Sequence, residues 1–243
     1  MKYVGSKCKI AKYIVPIIQK YIDENNIESY IEPFVGGANV IDKIKCKLRT
    51  GFDIDPLVLD LHICCRANPS LLDELPEFVD KMYYYEVRGD KYKYKRWYRS
   101  AILLFASYNA RVYGGCYGGY AITKNGTIRN YYKEALNNYK KQLPNLKGIN
   151  FELRDYKDIN RKNCVIYCDP PYAEGIGYKE KFNHEEFWDW CREMSKNNIV
   201  LISEYQAPQD FECIWQQEIT THMNNRGKHK KVEKLFMYKH GRK

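Results

Sequence analysis

The chain has 243 residues, 44% of them hydrophobic and 29% charged, so one substantial core fits, with room for an insertion. With 23 Tyr, 9 Phe and 4 Trp it carries too much buriable surface for a disordered chain. No run approaches the ~18 apolar residues that span a bilayer, and the N-terminus has no signal-peptide stretch, so a cytoplasmic protein is expected.

The net charge of +10 alongside so many tyrosines suits nucleic acid, cations neutralising phosphates and rings stacking on unpaired bases. The nine cysteines are scattered without a C-x-x-C, and the five histidines add no ligand spacing. Reduced, mostly buried thiols and no metal are expected.

In chain order, residues 7–24 place Ile10, Ala11, Ile14, Ile17, Ile18 and Tyr21 at helical spacing, with Pro16 a point for a kink. Tyr30 to Phe34 read as a short strand entering a turn with Gly37, Asn39 to Ile44 as a helix, and Lys47 to Ile54 as a second strand. That order is a βαβ unit, the element of a parallel sheet. Residues 57–107 are mainly helical. From Ser107 to Ile128, five glycines among tyrosines predict an irregular loop or small hairpin. Strands return at Asn150–Leu153, Cys164–Cys168, Ile199–Ile202 and Lys234–Tyr238, with a helix over Glu185–Lys196 burying Phe187, Trp188, Cys191 and Met194. The fold class is α/β, a doubly wound and mostly parallel sheet interrupted between about residues 60 and 145.

Asp169-Pro170-Pro171-Tyr172 follows the apolar strand, at the carboxyl end where open α/β sheets bind ligands. An aromatic amine is a poor nucleophile because its lone pair is delocalised. The Asp169 carboxylate and the Pro170 carbonyl could hold both amino hydrogens and turn the lone pair toward an electrophile. Pro171 stiffens this turn and Tyr172 would stack on the base. Such a site cannot reach a base inside a duplex, so the base would be flipped out. The bland alternative is a tight turn without chemistry. A second motif, Glu32-Pro33-Phe34-Val35-Gly36-Gly37, is followed by Asp53, an arrangement suited to a nucleoside with ribose hydroxyls; without G-x-G-x-x-G it does not indicate a pyrophosphate.

These pieces resemble the Dam-type DNA adenine methyltransferases, which include many phage enzymes. The likeness also takes in Lys2-Tyr3-Val4-Gly5-Ser6-Lys7, Phe52-Asp53-Ile54-Asp55, Asp155-Tyr156 and Ile199 to Ser203, and it covers nearly the whole chain. It implies a Rossmann-like methyltransferase fold with a catalytic domain of residues 1–60 and 146–243 and a target-recognition insertion of 61–145. It implies S-adenosyl-L-methionine as cofactor and methylation of the exocyclic nitrogen of adenine in double-stranded DNA, as in restriction–modification. Tyr3 and Lys7 would then help bind the cofactor, Phe34, Gly36 and Gly37 would wall its pocket, Asp53 with Ile54 would meet the ribose, and Asp155 and Tyr156 would lie near its adenine. Asp169 would touch both cofactor and amine. From residue type alone, Tyr3 and Lys7 read as a frayed terminus and Asp155 equally as a cap of the next turn.

The insertion departs from the family. Relatives that read GATC tend to carry Tyr-Asn-Gly followed by Arg, whereas Gly114 and Gly118 stand at the Asn and Arg positions here. GATC specificity therefore does not carry over. Either a guanine contact comes from Arg111 or Arg129, or the site read is different, with Tyr113 and Tyr117 as DNA-contacting aromatics. An RNA-base methyltransferase and a catalytically silent nucleic-acid-binding protein are the alternatives.

Overall fold

The computed structural model describes residues 1–123, 125–171, 182–221 and 229–239. After a single 3-10 turn at Lys7–Lys9, helix α1 (Ala11–Glu24) buries Ala11, Ile14, Ile18 and Ile22 at intervals of three and four. Pro16 lies on its exposed face, so the ring meets solvent and the helix continues through it. Strands β1 (Ser29–Glu32) and β2 (Leu48–Asp53) pair in parallel, Ser29 opposite Leu48.

The helix expected over Asn39 to Ile44 is not there. The crossover carries only a 3-10 turn at Ile41–Lys43. Six residues nucleate a helix poorly, and the chain enters this stretch through positive φ at Gly36 and Ala38. Val40, Ile41 and Ile44 are buried by the turn itself.

Asp55 caps helix α2 (Pro56–Ala67), accepting the Leu57 N–H at 3.0 Å, with Pro56 at the first helical position. Helices α3 (Lys81–Gly89) and α4 (Arg96–Ala106), the hairpin β3 (Tyr120–Ile122) and β4 (Ile128–Asn130), and helix α5 (Tyr131–Gln142) complete a long excursion. It ends in β5 (Ile149–Leu153), which pairs in parallel with β2. The whole insertion is thus the crossover from β2 to β5. Leu59, Phe105 and Tyr139 from α2, α4 and α5 join Ile14, Tyr30, Val165 and Leu201 in one hydrophobic core. Strand β6 (Cys164–Cys168) is buried at every position, helix α6 (His184–Ser195) packs Phe187, Trp188, Cys191 and Met194 inward, and β7 (Ile199–Glu204) follows.

The sheet order is β5-β2-β1-β6-β7-β9-β8. Five strands run parallel; the last two form an antiparallel hairpin of β8 (Phe211–Thr221) and β9 (His229–Tyr238). Sequence periodicity marks only the end of β9 and misses β8, an edge strand rich in Glu, Gln and Thr. From β1 the chain winds outward through β2 to β5, and from β6 outward through β7. The switch point, where such sheets open a crevice for ligands, lies between the carboxyl ends of β1 and β6.

All nine cysteines are free, but only Cys65, Cys164, Cys168 and Cys191 are buried; Cys8, Cys116 and Cys213 are exposed. The expectation of mostly buried thiols is corrected accordingly. Among the described residues no helix is long and apolar enough to cross a membrane, and no group of three His, Cys, Asp or Glu could hold a metal.

Candidate active site

The crevice is built from the turns that leave β1, β2, β5 and β6. Beyond β1 the chain folds back so that the Val35 N–H donates to the Phe52 carbonyl at 2.8 Å. Gly36 has φ +42°, and a Cβ there would lie 2.7 Å from the Tyr3 ring; a Cβ at Gly37 would lie 2.9 Å from Tyr3 Cβ. Both positions therefore require glycine. Tyr3 forms the floor of this turn. Its segment is not frayed: Met1 is buried, with its amine 2.6 Å from Asn39 Oδ1.

Asp53 ends β2. One carboxylate oxygen accepts the Gly36 N–H at 2.9 Å and the other accepts the Asp55 N–H at 3.0 Å. Burial pushes this carboxyl up to about 6, against the pull of those backbone N–H donors. Ile54, 65% exposed, stands beside it at the mouth of the crevice. From β5, the Arg154 N–H donates to the Asp53 carbonyl at 3.0 Å, bringing Asp155 and Tyr156 alongside. Asp155 does cap the next turn, accepting the Lys157 N–H at 3.1 Å. Tyr156 packs 5.4 Å from Phe34, ring centre to ring centre, and its buried hydroxyl has no hydrogen-bond partner among the described residues.

Across the switch point, Asp169 follows β6. Lys7, only 7% exposed, places its ammonium 2.8 Å from Asp169 Oδ1 and 3.7 Å from Glu233 of β9. Pro170 is buried and Pro171 half-buried; Tyr172 lies outside the described residues. Tyr3, Lys7, Phe34, Gly36, Gly37, Asp53, Ile54, Asp155, Tyr156 and Asp169 are thereby placed around the ends of four adjacent parallel strands and the N-terminal turn.

The recognition candidates lie on the insertion. Tyr113, 40% exposed, donates its hydroxyl to Asp55 at 2.9 Å, two residues from Asp53. Arg111 is half-buried, and positive φ at Asn109 and Ala110 turns the chain immediately before it. Tyr117 packs on the core and donates to the Val79 carbonyl. Arg129 makes a bidentate pair with Glu134 at 2.7 and 2.9 Å and lies over the Tyr131 ring. A Cβ on Gly118 would stand 2.7 Å from Tyr108 Cα, so no arginine fits there without moving backbone. At Gly114, by contrast, there is open space.

Four contributors have no motif in the sequence: His62, Tyr139, Glu204 and Glu233. His62 of α2 is fully buried, stacked on Phe151 at 4.9 Å between planes tilted by 17°. Its Nε2 lies 2.9 Å from the Gly36 carbonyl, an obligate acceptor, so Nε2 carries the proton and Nδ1 accepts from the Tyr139 hydroxyl at 3.0 Å. Burial pushes this imidazole down to about 4, leaving it neutral.

The carboxylate over the glycine turn, the aromatic wall and the second carboxylate across the switch point form a crevice of the kind that takes a nucleoside. Residues 3–199 match the model of the D12 class N6 adenine-specific DNA methyltransferases, and the chain belongs to that family. It is 30% identical over 208 residues to a Type II methyltransferase, M.MjaIII, of Methanocaldococcus jannaschii, covering 71% of this chain and 68% of the relative. A solved protein of Pyrococcus horikoshii, provisionally described as an RNA methyltransferase, aligns over 72% of this chain and 98% of its own at 11% identity and a TM-score of 0.29, too loose an overlap to bear on function.

The protein is accordingly an adenine-N6 DNA methyltransferase on a Rossmann-like methyltransferase sheet, and its methyl donor is S-adenosylmethionine. The residues present fit that donor: the Asp53 carboxylate can accept from hydroxyls, and the Phe34 and Tyr156 rings can flank a planar base.

Proposed function

We propose that the chain methylates adenine in a specific double-stranded sequence, with the target base rotated out of the helix into the crevice beside Asp169. The observation that carries this reading is the position of Asp169 at the switch point, with one oxygen engaged by the buried ammonium of Lys7. Bound S-adenosylmethionine supplies a methyl group already activated on a sulfonium, so no metal is needed. Asp53 with Ile54 binds its ribose, Gly36 and Gly37 allow it to approach backbone, and Phe34, Asp155 and Tyr156 surround its adenine. Tyr3 and Lys7 close the far side.

The Asp169 carboxylate and the Pro170 carbonyl each accept one hydrogen of the target amine, which concentrates its lone pair on the side facing the methyl group. Pro171 holds the turn, and Tyr172, by its place in the motif, stacks on the base. Preorganised acceptors of this kind commonly contribute on the order of a hundred-fold or more in rate.

Residues 61–145 serve as the recognition region while their helices share the core with the catalytic part, 1–60 and 146–243. The hairpin supports this: Ile122 and Ile128 sit opposite one another and are 69% and 65% exposed, a pair suited to wedge into a base step. Tyr113 reaches the crevice through its bond to Asp55, and Arg111 precedes it by two residues. Tyr117 braces the loop, and the Arg129 guanidinium is engaged by Glu134. The Type II description of the archaeal relative supports a place in restriction–modification.

The test is transfer of labelled methyl groups by purified protein to matched double-stranded DNA, single-stranded DNA and RNA. Methyladenine formed fastest in the duplex supports the reading; preference for RNA, or no transfer, contradicts it.

A further inference from the structure

The methyl transfer leaves a proton to be disposed of, and Asp169 is poorly placed to keep it because a lysine ammonium already occupies one of its oxygens. A second carboxylate stands beside it. Glu204 ends β7, the strand paired in parallel with β6, and the last pair, Cys168 with Ile202, brings the ends that carry Asp169 and Glu204 side by side. The charges of Asp169, Lys7 and Glu233 all act on the Glu204 carboxyl, which places it in the same charged cluster as Asp169. The side chain is 5% exposed; one oxygen accepts the Tyr205 N–H at 2.8 Å, and the other, Oε2, is buried without a hydrogen-bond partner among the described residues. An unpartnered buried carboxylate oxygen is costly and rare, and here it borders the reacting site.

We infer that Glu204 is a further catalytic residue, the base whose open oxygen takes the proton that the adenine amine must lose. The inference rests on the active-site reading above. The amine nitrogen uses its lone pair to bond the methyl carbon, and the methyl–sulfur bond breaks with its electrons left on sulfur. The nitrogen, now cationic, gives one proton to Glu204 and recovers its lone pair. Glu204 becomes a neutral carboxylic acid and later releases the proton to water. Asp169 and Glu204 thereby divide the work, one paired with a cation and orienting, the other unpaired and basic.

The electrostatics agree. Burial, opposed by the Tyr205 N–H and by Lys7 and assisted by the charges of Asp169 and Glu233, pushes the Glu204 carboxyl up to about 7, the range of an effective general base at neutral pH. Lys234 occupies the paired position on β9.

Single-turnover methylation of duplex DNA between pH 5.5 and 8.5 tests this, with cofactor affinity measured by calorimetry on the same samples. The wild-type rate should climb with pH through about 7 and level off as Glu204 ionises. Glu204→Gln should be slower by about a hundred-fold and lose that inflection, while binding S-adenosylmethionine within about threefold of wild type. Glu204→Asp should keep the inflection at a reduced rate. A Glu204→Gln rate within threefold of wild type, or an unchanged inflection, overturns the inference. If both variants lose cofactor binding, infrared difference spectra of the wild type decide: a carboxylic-acid band titrating near pH 7 supports Glu204, and its absence overturns it. An inactive wild type with intact cofactor binding would instead be a failure of the active-site reading.

Discussion

His62 offers a quantitative test of how the insertion supports the cofactor turn. Its imidazole joins the Gly36 carbonyl, at 2.9 Å, to the Tyr139 hydroxyl of α5, at 3.0 Å, with no exposure of the ring. In His62→Phe both bonds disappear. The Tyr139 hydroxyl can turn its proton to the Leu61 carbonyl, 3.4 Å away, but the buried Gly36 carbonyl loses its partner. A lost bond of ~1 kcal/mol plus one stranded carbonyl at ~1–3 kcal/mol gives a destabilisation of about 2–4 kcal/mol. His62→Gln, whose amide can still donate to Gly36, should recover part of it.

The pH dependence follows from the same ring. Unfolded, His62 protonates below its ordinary value of 6.5; folded, burial holds it neutral down to about 4. The unfolded chain therefore binds more protons in that window, and stability falls as pH drops through it. The contribution is complete above pH 6.5 and shrinks by about 3 kcal/mol as pH reaches 4. Urea unfolding of wild type and both variants at pH 4.5 and 7.5 measures this. Equal stability of wild type and His62→Phe, or an unchanged pH dependence in the variant, would refute it.

Further outcomes follow from the crevice and the loop. Asp53→Ala should weaken S-adenosylmethionine binding by roughly 1–3 kcal/mol, read by calorimetry; unchanged affinity would move the ribose contact to Asp55. Arg111→Ala should flatten the sequence preference on a degenerate duplex library, since a bidentate base contact is worth ~1–3 kcal/mol, whereas Arg129→Ala should leave the preference intact. A shift with Arg129→Ala alone would reverse these roles. Chelator treatment should leave methyl transfer unchanged, and lost activity restored by a divalent ion would contradict that.

The parallel strands β6 and β7 were legible because they are short runs of apolar and β-branched residues, and α6 because Phe187, Trp188, Cys191 and Met194 fall on one face. Helix α5 was hidden by its composition: Tyr132, Ala135, Leu136 and Tyr139 hold helical spacing, but Lys and Asn dominate around them. Strand β8 was hidden because an exposed edge needs no apolar face. At the site, Asp53, Asp169 and the glycine turn announced themselves as motifs. The placement of Lys7 against Asp169 and the Asp169–Glu233 bridge through it depend on contacts between distant segments, and the resemblance alone pointed to Lys7. Glu204, Glu233 and His62 belong to no local pattern. The Gly118 problem shows the converse, since an absent arginine in the sequence becomes a backbone contact with Tyr108 in three dimensions.

The central claim is that adenine methylation occurs at Asp169. It is tested most directly by sequencing DNA from cells expressing either the wild-type chain or Asp169→Ala, with a readout for N6-methyladenine at single-base resolution. The account predicts methyladenine in one recurring sequence with the wild type and none above background with the variant, at equal protein levels and with the variant still folded. Methyladenine at the same sequence in both strains would contradict it.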